Sequence, residues 1–321
     1  MKKYPKVSII IPLYISTPRF FADLLKFDRL NYSDYEILVV SDKKVNIYRP
    51  KVKVILTGLA NTGPAEKRDL ALKSARGEIC AFIDDDAYPH KDWLKNAVKL
   101  FANLEVVAVG GPGLTPPEDG FWEQVTGVAF QSRFCGGSTQ HRFTKAKKSF
   151  VKDYPAYNLL VRTDVLKNVG GYGSYFYGGE DTFLCLKIIK KGWKILYDPE
   201  VIVYHHRRGL PSGYLRQIAN VGTHRGFFVK KYPETSLYFT YFAPSILTLG
   251  FIIGVVMSLL WMPIMILFFS LLILFYLAAL FSVLHKSNVL MASLVAVEII
   301  LTHLTYGIFF IKGLLTKKLT R

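Results

Sequence analysis

From Thr235 to Leu284 the chain carries no Asp, Glu, Lys or Arg, fifty residues in succession. That length holds two helices of about 20 residues each crossing a bilayer, and a soluble core seldom needs so long an uncharged run. After His285 and Lys286 a third apolar stretch, Val289 to Ile311, contains Glu298 and His303. The composition therefore divides the chain into a soluble domain (1–209), a basic amphipathic segment (210–234), a membrane region of about three apolar segments (235–313) and a basic tail (314–321).

A net charge of +17 and a pI near 9.6 attract polyanions, either nucleic acid or an anionic membrane surface. The apolar C-terminal third favours the membrane. Cys80, Cys135 and Cys185 have no paired spacing, so they predict neither a zinc site nor a disulfide framework but reduced packing residues in a cytosol-facing domain. The N-terminus passes directly into Val7-Ser8-Ile9-Ile10-Ile11-Pro12, too short and strand-like for a signal peptide.

The soluble part alternates strand-like and helix-like segments. Strands are predicted at Val7 to Ile11, Glu36 to Val40, Val52 to Leu56 and Ile79 to Ile83. Helices are predicted at Phe20 to Phe27, Ala65 to Arg76 before Gly77, and His90 to Asn103. This order predicts an α/β fold with a mostly parallel sheet, whose ligands sit beyond the carboxyl ends of the strands. Pro12-Leu13-Tyr14, Asp42 and Asp84-Asp85-Asp86 all fall at such ends. Three adjacent carboxylates are costly unless something positive lies among them. In an extended backbone Asp84 and Asp86 share one side. Their hard oxygens suit Mg²⁺ or Mn²⁺, which usually complete their shell with substrate phosphates. The competing reading is a solvated acidic turn.

Val7 to Tyr14, Glu36 to Asp42, Gly63 to Arg68 and Arg76-Gly77-Glu78 to Asp86 resemble the nucleotide-sugar half of family 2 glycosyltransferases with the GT-A fold. Asn158 to Arg162, Gly170-Gly171-Tyr172, Gly179-Glu180-Asp181, Gly192-Trp193 and Asp198-Pro199 to His205-His206 resemble the second half, in the family's order. Ile15 stands where the family often has Asn, and Asp69 replaces a frequent Asn after the arginine.

The resemblance implies a Rossmann-like GT-A domain that moves a sugar from a nucleotide-sugar donor, UDP-linked in preference to GDP-linked, with a divalent metal as cofactor. It implies that Asp86, Asp84 and His205 hold the metal, with His206 the alternative to His205. Pro12, Tyr14, Asp42, Arg68, Asp84 and Asp85 would contact the donor. Asp181, in preference to Glu180, would take the proton from the acceptor hydroxyl. Capping remains the competing reading for the acidic pair at a helix start, and surface pairing for Asp42 and Arg68.

Leu210 to Tyr232 mixes apolar and basic residues, which predicts an interfacial helix. It lacks the Gln-x-x-Arg-Trp motif of processive synthases, which favours transfer of a single sugar. The expected protein is an integral membrane enzyme, its catalytic domain facing the cytoplasm, that acts on a lipid-linked or polyprenyl acceptor. A polyprenyl-phosphate sugar synthase is the rival enzyme. A nucleic-acid-binding module is disfavoured, because the aromatics are not interleaved with the basic runs. Three crossings would leave Lys317 and Lys318 outside, against the positive-inside tendency, unless one segment is re-entrant.

Overall fold

The computed structural model describes residues 5–174, 176 and 178–319. The chain begins with β1 (Val7–Leu13), α1 (Pro18–Lys26), β2 (Tyr35–Ser41), β3 (Val52–Leu56), α2 (Pro64–Ser74), β4 (Ile79–Phe82), β5 (Ala87–Pro89), α3 (Trp93–Val98), β6 (Val106–Gly110) and β7 (Gly113–Leu114). Helices α4 (Phe121–Phe130) and α5 (Arg133–Gly136) precede β8 (Ser149–Val151), β9 (Leu159–Arg162), α6 (Thr163–Asn168), α7 (Glu180–Lys190), β10 (Lys194–Tyr197) and β11 (Val203–His205). The remainder is helical: α8 (Ser212–Lys231), α9 (Pro233–Ser236), α10 (Phe239–Ser258), α11 (Met262–Phe281) and α12 (Val289–Leu315).

The chain forms two compact units. Of the described residues, one comprises those up to Pro116 with those from Thr144 to His206; the other comprises Pro117–Phe143 and those from Arg207 onward. Composition alone places a boundary near residue 209, whereas packing also groups 117–143 with the helical part.

The first unit is built on an eight-stranded sheet of order β3-β2-β1-β4-β9-β6-β10-β8. β1, β2, β3 and β4 are parallel, as are β6 and β10; β9 runs antiparallel to both β4 and β6, and β8 to β10. The sheet is therefore mixed beyond β4, an arrangement that needs no helical crossover at those joints. Every residue of β1 is buried. Val7, Ile9, Ile11 and Leu13 pack with Phe20 and Leu24 of α1 and Trp93 of α3, while Ile10 joins Ala71 of α2 and Leu184 and Ile188 of α7. Burial of both faces explains why the strands read as continuous apolar runs.

Two helices are shorter than their sequence pattern. α2 opens on Pro64, with Glu66 accepting from the Gly63 N–H at 2.8 Å, and ends at Ser74. It stops there because Arg76 is drawn aside: its backbone N–H (2.8 Å) and its guanidinium both donate to the Glu36 carboxylate. The 90–103 helix is confined to α3, with a tighter turn over Lys99–Ala102.

In the second unit, α10 to α12 are long and apolar enough to cross a membrane. α8 lies along α12 at backbone contact: a Cβ on Gly222 would meet the Tyr306 carbonyl at 2.8 Å, and one on Gly226 would collide with the Phe310 carbonyl. Gly313 makes the reciprocal approach to Thr223. Residues without a side chain let two helix backbones approach this closely. Glu298 is fully buried on α12, and the His303 ring meets Phe275 of α11 edge-on.

Glu36 joins three segments, since it also accepts from Ser8 Oγ at 2.8 Å. Although burial opposes its charge, the bonds from Arg76 and Ser8 outweigh it and hold its carboxyl below the usual range. Glu36→Gln is expected to lower unfolding stability by about 1–3 kcal/mol at pH 7. A carboxyl whose folded pKa is depressed gives its full stabilisation above the unfolded pKa and loses it as pH falls through the folded value. Denaturant titrations should therefore show the gap between wild type and variant closing below about pH 4.

Candidate metal and substrate site

β1, β2 and β4 run parallel in register, so their carboxyl ends share one rim. β4 is shorter, with Phe82 beside Ile10, and Asp84, Asp85 and Asp86 occupy the turn that follows it. The backbone there is not extended. The Ala87 N–H closes back on the Asp84 carbonyl at 3.2 Å, and β5 begins immediately. β5 pairs antiparallel with β11, setting Ala87 opposite His205. This pairing carries His205 Nε2 to 3.0 Å from Asp86 Oδ1. His206 points elsewhere and meets the buried Asp23 at 3.0 Å.

The three acidic residues have different partners. Asp84 and Asp86 join His205, one ligand atom from each lying within 4.8 Å of the others. Asp85 turns to β1 and accepts from the Tyr14 N–H at 2.6 Å. Burial raises the pKa of Asp84, with Asp86 and Glu180 adding to it against the pull of Arg68 and His205. Burial, then repulsion by Asp86, pushes Asp85 up to about 6. Two carboxylates and an imidazole, drawn together at the cost of mutual repulsion, fit a hard divalent cation. Bonds of about 2.1 Å in octahedral geometry space neighbouring ligands by roughly 3 Å, close to the separation of His205 and Asp86.

The positive partner of the acidic turn is Arg68, whose side chain is 3% exposed. Its Nη2 donates to Asp84 Oδ1 at 2.7 Å and its Nη1 to Glu180 Oε1 at 2.9 Å. Although burial opposes its charge, Tyr172, Asp84 and Glu180 outweigh that and hold the guanidinium protonated. Arg68 thus joins the β4 turn to the start of α7. Glu180 is also tied by the Gly178 N–H at 3.0 Å. Asp181, next on α7, is half-buried and accepts from the Thr182 N–H at 2.7 Å.

Asp42 follows β2 and accepts from Thr57 Oγ1 at 2.8 Å and the Thr62 N–H at 3.1 Å, with Lys67 Nζ at 3.3 Å. Burial works against its ionisation, but these bonds outweigh it and lower its pKa. Pro12 is buried within β1, and the Tyr14 side chain is exposed on the rim.

Three further residues support the rim, and of these the sequence reading marked only Asp69. Lys67, 2% exposed, donates to the Leu13 carbonyl at 2.7 Å while pairing with Asp42, so it fixes the ends of β1 and β2 together. Asp69 accepts from the N–H groups of Tyr172 and Gly173 at 2.6 and 2.9 Å. Lys187 binds the carbonyls of Val169, Gly171 and Tyr172 in the same loop. The visible hint was Asp69 standing in place of the usual Asn.

A mostly parallel, two-sided α/β sheet with this constellation on its carboxyl rim is a GT-A fold. The chain belongs to Glycosyl transferase family 2, whose domain matches residues 8–170. It is 25% identical over 172 residues to a pre-mycofactocin glycosyltransferase of Mycobacterium tuberculosis, a match covering 54% of this chain and 36% of that relative's length. It is also 23% identical over 242 residues to the dolichyl N-acetyl-α-D-glucosaminyl phosphate 3-β-D-2,3-diacetamido-2,3-dideoxy-β-D-glucuronosyltransferase of Methanococcus voltae, covering 70% of this chain and 74% of the relative. The mannosyltransferase PcManGT of Pyrobaculum calidifontis, solved with GDP-Man and Mn²⁺, shares the fold at a TM-score of 0.51 and 21% identity, over 70% of this chain and 63% of its own.

Removing Arg68 leaves two carboxylates uncompensated. Arg68→Leu is expected to cost about 3 kcal/mol at pH 7, because breaking a buried ion pair strands its partners. Burial already raises the pKa of Asp84, so without Arg68 its charge is held at a cost at neutral pH and relieved by protonation. Thermal melts should show a smaller deficit at pH 5 than at pH 7.

Proposed function

We propose that this protein is a membrane-bound, metal-dependent, inverting glycosyltransferase that moves one sugar from a nucleotide-sugar donor to a hydroxyl of a lipid-linked glycan acceptor. The observation that carries this reading is the convergence of Asp84, Asp86 and His205 within 4.8 Å on the rim where β1, β2 and β4 end. These three residues would hold Mn²⁺ or Mg²⁺, which supplies charge neutralisation on the diphosphate leaving group when bound.

The chain's own residues do the rest. Tyr14 and Asp42 bracket the rim where the nucleoside lies, Asp42 held as an anion ready to accept from the base. Asp85 fixes the β1 end through the Tyr14 N–H. Arg68 keeps the acidic turn and α7 in a fixed relation. Asp181 is the general base, withdrawing the acceptor hydroxyl's proton as its oxygen attacks the anomeric carbon from the face opposite the diphosphate. Glu180 is committed to Arg68 and Gly178, which supports Asp181 for that role. The helices α10 to α12 tether the enzyme to the membrane with the catalytic domain on the cytoplasmic side, and the M. voltae relative's dolichyl phosphate-linked acceptor supports a lipid-linked one here.

Two measurements test the reading. Asp181→Asn is expected to reduce kcat by about 10²–10⁴-fold with donor binding retained; near-normal turnover would favour a phosphate acceptor, which is already ionised, and with it a polyprenyl-phosphate sugar synthase. Asp86→Ala should abolish the Mn²⁺-dependent thermal shift given by nucleotide sugars, UDP-linked donors giving the larger shift in the wild type. Its own melting temperature should stay unchanged or rise, since one of two repelling carboxylates is gone. A variant that melts early by the equivalent of about 0.5–2 kcal/mol, as for a lost cap, yet turns over normally would sink the metal site.

A further inference from the structure

The C-terminal ends of α8 and α12 lie together. The glycine contacts pair residue 222 with 306 and 310, and 226 with 310 and 314, so the two helices run in the same direction. Lys230 Nζ closes the pair by donating to the Thr316 carbonyl at 2.8 Å. This brings Lys230, Lys231, Lys312, Lys317 and Lys318 to one end of the helical unit, all of them exposed. Glu234 is the only carboxylate residue between Glu200 and Glu298, and none follows Glu298.

Helix ends account for only part of this charge. Each carboxyl end carries about half a negative charge, so two of them offset about one of the five ammonium groups. Those two ends and Glu234 leave about three of the five charges for ions from outside the helical unit. Beyond α8 and the short α9 the surface turns apolar, with Leu237, Tyr238 and Phe239 being 60%, 43% and 76% exposed at the start of α10. Exposed aromatics between a basic cluster and an apolar helix mark the depth of a lipid headgroup layer.

We propose that the paired ends of α8 and α12 form a lysine collar that binds the phosphate headgroups of anionic lipids, on the side of the membrane where α10 enters. A corollary is that the chain leaves the apolar region on the side where it entered. Lys317 and Lys318 then sit beside Lys230 and Lys231, and one of the three apolar helices does not complete a crossing. The proposal rests on the membrane tethering proposed above, so the test must separate the two.

The full-length protein in detergent is titrated with dioleoyl phosphatidylglycerol or dioleoyl phosphatidylcholine and its melting temperature read. Phosphatidylglycerol should raise it and phosphatidylcholine should not, with the shift falling by at least half in 0.5 M NaCl and in the variant carrying Lys230→Gln, Lys231→Gln, Lys317→Gln and Lys318→Gln. An equal response to both lipids, or an undiminished shift in the variant, overturns the collar. Inorganic phosphate giving the same shift as the lipid overturns the headgroup assignment. Separately, Lys231→Cys and Lys318→Cys proteins in intact cells are treated with a membrane-impermeant maleimide, the unsubstituted protein giving the background from native cysteines. Both should be protected or both labelled; opposite accessibility overturns the same-side arrangement. Recovery of the protein in the soluble fraction after carbonate washing would instead refute the membrane tethering itself.

Discussion

The buried guanidinium of Arg68 is what lets the rest of the site exist. Asp84, Asp85, Asp86 and Glu180 gather around a partly desolvated rim, where like charges repel strongly. A planar cation with forked donors can satisfy two carboxylates from separate elements at once. Arg68 does so between Asp84, after the fourth strand, and Glu180, at the start of α7. The acidic turn is thereby held next to the helix that carries Asp181, although 112 residues separate Arg68 from Glu180.

The same helix α2 serves the rim through its neighbouring positions. Lys67 reaches the end of β1 and Asp42 after β2, while Asp69 holds the loop at Tyr172 and Gly173. Lys187 of α7 takes the carbonyls of that loop. Because backbone groups buried without partners are costly, these bonds make the loop a fixed joint between α2 and α7. Gly171 has φ +62, and a Cβ there would collide with the Asp69 carboxylate. The departure from Asn at position 69 thus places a carboxylate where two N–H donors face it.

In the helical unit the organising constraint is backbone proximity. At Gly222, Gly226 and Gly313 the backbones of α8 and α12 approach directly, and at Gly307 the Thr248 side chain and the Pro244 carbonyl of α10 press on α12. Close backbone contact is joined there by hydrogen bonds such as Ser245 Oγ to the Gly307 carbonyl at 3.2 Å. The segment read from sequence as an interfacial helix has one face engaged in this way, and its basic residues lie at the end and flank of that contact.

What the sequence determined by itself was whatever depends on local pattern. Continuous apolar runs gave the buried strands, fifty uncharged residues gave the long helices, and the positions of Asp42 and Asp84 to Asp86 just after strands gave the rim. The family was legible for the same reason, since its motifs are short and ordered. The tertiary structure alone decided which partner each charge has. No spacing rule joins Arg68 to Glu180 or sets His205 opposite Ala87, because both depend on strand pairing between distant segments. The extended geometry expected for Asp84 to Asp86 gave way to a turn closed by the Ala87 N–H, and Asp84 and Asp86 still share His205 because β5 and β11 pair there. His205 and His206 likewise differ only in what each faces: Asp86 for one and Asp23 for the other. Sequence fixes the residue types and their order along the chain; long-range packing, in which charges must find partners before they can be buried, fixes who meets whom.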